Sequence, residues 1–89
     1  MSKIEQAFDM IESLFRGEYD PLQFSCDMED FLYNNSSIME QENAEVNNIL
    51  QNEIPDLCAE GEPGFDPSHM IQGIKAEYEK AKAVLNNKN

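Results

Sequence analysis

The sequence predicts an all-α protein, a compact antiparallel four-helix bundle whose third helix is kinked or interrupted. Apolar residues recur at three- and four-residue spacing along most of the chain. No segment alternates apolar and polar residues for long enough to demand a strand. Two Asp-Pro pairs, Asp20-Pro21 and Asp66-Pro67, supply a side-chain cap followed by a residue suited to the first helical position. With 89 residues the chain accommodates one domain, spanning residues 1–89.

The first helix is expected over about residues 3 to 16, where Ile4, Phe8, Ile11, Leu14 and Phe15 share a face and Gly17 stands where a left-handed cap is needed. Asp20-Pro21 starts the second, with Phe24, Met28, Phe31 and Leu32 as its apolar face. The polar run Asn34-Asn35-Ser36-Ser37 reads as the place where it frays into a connection. A third helix then resumes over Met39 to Gln51 and stops or kinks at Ile54-Pro55, because proline removes a backbone donor and disfavours a helical residue before it. Asp56 to Ala59 could form another short turn. Glu60-Gly61-Glu62-Pro63-Gly64-Phe65 reads as an acidic loop. Asp66-Pro67 opens the last helix, along which Ile71, Ile74, Tyr78, Ala81 and Leu85 step by three and four; Gly73 weakens it slightly.

Charge is the dominant compositional fact. Eighteen acidic and six basic side chains give a formal charge of −12, and no lysine or arginine occurs from Gly17 to Ile74. A chain with this balance cannot neutralise a phosphate backbone, and anionic membrane surfaces repel it. No apolar run approaches the roughly 20 residues of a membrane helix. The start, Met1 to Gln6, lacks the pattern of a secretory signal, so a cytoplasmic location is expected, with the two cysteines as thiols. The acidic middle of the chain reads either as a solvated surface or as an electrostatic docking face for a basic protein.

Catalytic and metal-binding patterns are not found. His69 has no second histidine or cysteine at ligand spacing and reads as a capping or surface residue. Cys26 and Cys58 form no Cys-x-x-Cys pair and are expected to be buried, inert thiols. Neither acidic stretch has the order of a calcium loop, and no phosphate loop, nucleophile elbow or paired acid–base motif occurs. The sequence therefore implies neither an enzyme nor a cofactor.

The order of these features resembles a known family. Leu14-Phe15 closing the first helix and Asp20-Pro21-Leu22-Gln23-Phe24-Ser25 opening the second are similar to the colicin D immunity family. Leu50, the Ile54-Pro55-Asp56-Leu57 turn, the Glu60-Gly61-Glu62-Pro63 loop, Asp66-Pro67 and a closing helix from Ile74 to Leu85 look like the rest of that pattern. The resemblance implies a small bacterial four-helix immunity protein that binds and silences a tRNA-cleaving toxin domain, with relatives that serve contact-dependent growth inhibition.

A ribonuclease that grips tRNA presents a basic cleft, and an acidic protein can occupy it by placing carboxylates where phosphates would lie. On that expectation the central anions are Asp56, Glu60, Glu62 and Asp66, with Glu53, Asp27 and Asp30 next, and Phe65 or Tyr19 as an aromatic anchor. The expected assembly is a monomer that forms a 1:1 complex with the toxin domain. Two other readings stay open. One is an acyl-carrier-like protein, which needs an attachment serine at the start of its second helix, where Ser25 follows Phe24 instead of an acid. The other is an acidic helical adaptor for a basic partner.

Overall fold

The computed structural model describes residues 2–59 and 66–86. Its regular structure is entirely helical: α1 (Lys3–Phe15), α2 (Pro21–Glu42), α3 (Ala44–Asn52), α4 (Ile54–Ala59) and α5 (Pro67–Asn86), with no strand among the described residues.

The local signals act where the sequence puts them. Ser2 and Glu5 form a reciprocal capping box on α1, Ser2 Oγ accepting from Glu5 N at 3.0 Å and Ser2 N donating to Glu5 Oε1 at 3.0 Å. At the other end Gly17 adopts φ +75°, Gly17 N bonds Leu14 O at 3.1 Å and Glu18 N bonds Ser13 O at 3.0 Å. That pair of bonds is a Schellman motif, and the positive φ is what glycine supplies cheaply. Asp20 accepts from Gln23 N at 2.9 Å ahead of Pro21, and Asp66 accepts from Ser68 N at 2.9 Å ahead of Pro67.

Helix α2 departs from the sequence reading. It does not fray at Asn34–Ser37 but continues to Glu42, so Met39 belongs to α2 and not to the third helix. Asn35 Nδ2 donates to Phe31 O at 2.8 Å, which returns a polar side chain to its own helix. Met39 is fully buried and anchors the extension to the core. The chain turns instead at Asn43, whose extended backbone (φ −165°, ψ 101°) and side chain, accepting from Val46 N at 3.1 Å, cap α3. The interruption expected near Pro55 is present: α3 ends at Asn52, Glu53 intervenes, and α4 starts at Ile54.

The core draws on every helix. Ile11 of α1, Phe24, Met28, Leu32 and Met39 of α2, Leu50 of α3, Ile54 of α4 and Met70 and Ile74 of α5 are all at most 1% exposed. Helix α2 packs against α1, α3 and α4, and α5 closes the other side against α1, α3 and α4. Gly73 has a specific use here. A Cβ at that position would lie 2.7 Å from Leu57 Cδ2, so the missing side chain lets α4 seat Leu57 directly on α5.

Candidate functional site: an acidic groove between α2 and the α3–α4 junction

A groove of about 450 Å³ runs between α2 and the α3–α4 junction, lined by Glu29, Asp30, Leu32, Tyr33, Gln51 and Pro55. Its position follows from the helix breaks. Glu53 interrupts the helix between α3 and α4, which exposes Glu53 itself and Asp56 on either side of Pro55. Across the groove α2 contributes Glu29, half-buried, and Asp30, exposed. Gln51 ties the two walls together, its Nε2 donating to Leu32 O at 2.9 Å and to Asn47 Oδ1 at 3.4 Å.

Tyr33 stands at this groove with 86% of its surface exposed, the most exposed large hydrophobic side chain among the described residues. An aromatic ring so placed has no role in the core, and rings of this kind supply contact area and a face for cations. The aromatic anchors expected from the sequence are Phe65 and Tyr19, and Tyr33 is not among them. The helical period contains the signal, because Phe24, Met28 and Leu32 define the buried face and Tyr33 sits about 100° beyond Leu32.

Of the acids singled out in the sequence, Asp30 lines this groove, and Glu53 and Asp56 are exposed residues that flank its Pro55 in the chain. Asp66 caps α5 and is exposed. Glu60, Glu62 and Phe65 lie outside the described residues. Asp27 is engaged within the domain. Its Oδ2 accepts a short hydrogen bond from the Tyr19 hydroxyl and its Oδ1 accepts from Gln23 Nε2 at 2.9 Å. The Tyr19 bond, then that of Gln23, hold the Asp27 carboxyl below the usual aspartate range. Tyr19, half-buried and edge-on to Phe24 with ring centroids 5.4 Å apart, has its phenol pushed up to about 12 by burial and then by Asp27.

Helices α2, α3 and α4 contain no lysine or arginine, so nothing on the walls of the groove offsets its carboxylates. This separates it from a second groove of about 530 Å³ between α3 and α5. That one is lined by Asn48, Ile49, Gln51, Asn52, Glu77 and Lys80, and its two charges pair at 2.9 Å. The first groove attracts a cation; the second is internally balanced.

Among the described residues no three His, Cys, Asp or Glu side chains are grouped so as to hold a metal ion. No helix among them is long and apolar enough to cross a membrane. Ser25 is 2% exposed and donates to Leu22 O at 2.7 Å, so its hydroxyl is not offered for attachment of a prosthetic arm. The cysteines differ from expectation: Cys58 is buried, as the sequence suggested, but Cys26 is exposed. Its place two residues after buried Phe24, about 200° around the helix, takes it off the face that Phe24 buries. The chain matches no protein-family model, no curated protein and no solved structure.

Proposed function

We propose that the chain is a bacterial immunity protein that neutralises a basic ribonuclease toxin domain by filling its RNA-binding cleft with carboxylates. The observation that carries this reading is the groove walled by α2, α3 and α4, lined by Glu29, Asp30 and Pro55, with exposed Glu53 and Asp56 flanking Pro55 in the chain and no lysine or arginine on any of the three helices. A lysine or arginine from the toxin enters between Asp30 and Tyr33, its aliphatic stem against Leu32 and Pro55 and its charge over the Tyr33 ring. Each such residue withdrawn from the toxin's cleft is one that can no longer hold a phosphate. The uncompensated field also accelerates the encounter by roughly 10- to 1,000-fold at low salt, which suits an inhibitor that must meet a toxin before its substrate does.

On this reading the domain is an antiparallel four-helix bundle in which α3 and α4 together form the interrupted third member, and the break serves to present Glu53 and Asp56. The protein acts in the cytoplasm as a monomer that forms a 1:1 complex. The resemblance of Asp20-Pro21-Leu22-Gln23-Phe24-Ser25 and Ile54-Pro55-Asp56-Leu57 to the colicin D immunity pattern supports the same assignment. The test is retention of a basic tRNA-cleaving domain from the source bacterium, followed by cleavage assays with and without the protein. Suppressed cleavage, weakened about 30-fold by Tyr33→Ala and further by Asp30→Lys, is the expected result. A retained partner without nuclease activity turns the assignment to an adaptor; undiminished inhibition by the double variant removes the groove from the interface.

A further inference from the structure

A smaller cavity of about 240 Å³ lies between α2 and α4, lined by Ser25, Cys26, Glu29, Cys58 and Ala59. It brings together both of the chain's cysteines, one from each helix. The neighbours Ser25 and Ala59 are small, which favours a close approach of the two backbones where the helices pack. The two thiols are unlike. Cys26 is exposed and open to reagents, whereas Cys58 is buried, with 3% of its surface exposed. Burial first, then the nearby Glu29 and Cys26, push the Cys58 thiol up to about 12, so it does not initiate thiol chemistry at neutral pH.

We propose that Cys26 and Cys58 are a redox-active pair that closes to a reversible disulfide across this cavity, fastening α2 to α4. The oxidant is a low-molecular-weight disulfide. The Cys26 sulfur, as thiolate, attacks one sulfur of that disulfide and expels the other half as a thiolate, leaving a mixed disulfide on Cys26. Cys58 then gives up its proton to solvent, its sulfur attacks the Cys26 sulfur, and the second half of the oxidant leaves as a thiol. The protein loses two hydrogens, and one disulfide is reduced to two thiols. Cys58 resolves slowly because its thiolate is scarce, but it is held beside the mixed disulfide and competes only with dilute external thiol. Disulfide geometry demands a Cα–Cα separation of about 4.4–6.8 Å, which α2 and α4 must adopt at these two positions on closure. Glu29 lines both this cavity and the acidic groove, so closure sets the spacing of the groove's walls; the pairing itself does not depend on what docks there.

The test treats the intact 89-residue chain with oxidised glutathione and reads its mass without reductant. The expected product is a monomer lighter by about 2 Da, restored to its starting mass by dithiothreitol. Digestion with a glutamate-directed protease should then release Cys26 and Cys58 on linked peptides; trypsin is unsuitable because no lysine or arginine separates them. Cys58→Ala, and independently Cys58→Ser, should stop at a stable single adduct about 305 Da heavier on Cys26. Persistence of that adduct on the unsubstituted chain overturns the proposal, as does dimerisation through Cys26 or absence of any reaction.

Discussion

The hydroxyl of Tyr78 donates to Oε2 of Glu12 at 2.6 Å, joining the last helix to the first across almost the whole chain. The Tyr78 ring stands edge-on to Phe8 and to Phe15, with centroids 5.4 Å apart in both cases, and Lys82 Nζ lies 5.7 Å from the Phe8 and Tyr78 centroids. Burial and then Glu12 push the phenol up to about 12, so it remains a donor throughout the neutral range. Tyr78→Phe keeps the ring contacts and deletes one hydrogen bond to a carboxylate, which predicts a loss of about 1.5 kcal/mol. Urea unfolding checks this as a lower midpoint with unchanged slope. Glu12→Gln, which keeps an acceptor, should lose less.

Glu42, the last residue of α2, accepts from the backbone N–H groups of Lys3 and Ile4 through separate carboxylate oxygens, both at 3.0 Å. Together with Glu5 N to Ser2 Oγ and Ser2 N to Glu5 Oε1, each at 3.0 Å, this accounts for all four free amides at the start of α1. A carboxylate at that site also meets the positive end of the helix dipole. Glu42→Ala should cost about 1 kcal/mol and speed hydrogen exchange at Lys3 and Ile4, with Glu42→Gln intermediate. Unchanged exchange at those two amides would show that water replaces the carboxylate without loss.

The same contact explains which parts of the fold the sequence disclosed. Gly17, Asp20-Pro21 and Asp66-Pro67 act through bonds within a few residues, so their meaning is local and readable. Asn34–Ser37 has the composition of a connection, and what overrides it lies far away in the chain: Met39 in the core and Glu42 on the amides of α1. The candidate site divides in the same way. Asp30, Glu53 and Asp56 were legible because an acid in a stretch without cations is conspicuous. Tyr33 was not picked out and Cys26 was expected to be buried, although the period set by Phe24, Met28 and Leu32 takes both off the buried face. Tyr19 and Asp27 looked available because nothing in their spacing reveals that they bond each other.

Gly73 and Leu57 predict a reversal of sign. In an open helix Gly→Ala stabilises by roughly 0.8–1.0 kcal/mol. At Gly73 the new methyl would meet Leu57 Cδ2 at 2.7 Å, Cδ1 at 2.8 Å and Cγ at 3.3 Å. Leu57 is itself half-buried and packed on the core, and forcing it aside costs about 1–3 kcal/mol. Gly73→Ala alone should therefore be neutral to destabilising by about 2 kcal/mol. In a Leu57→Ala background the obstacle is gone, and the same substitution should stabilise by about 0.8 kcal/mol. A double-mutant cycle by chemical denaturation checks it, and additive effects would mean that Leu57 yields without cost.

The Tyr19–Asp27 pair makes stability depend on pH at both extremes. Asp27 titrates below its unfolded value, so its contribution is fully present above the unfolded pKa and is lost as pH falls through the lowered folded value. Tyr19 titrates above its unfolded value, so the folded state retains a proton that the unfolded state has released. Stability therefore falls as pH rises from the ordinary tyrosine value of 10.0 to about 12. Tyr19→Phe keeps the ring against Phe24 and removes the bond, so it should be less stable than the unsubstituted protein near pH 7. That difference should shrink on acidification below about pH 4, as Asp27 gains its proton. Denaturation midpoints of the two proteins across the pH range measure it directly. A difference that stays constant into acid would mean that the carboxylate's charge contributes nothing to the bond.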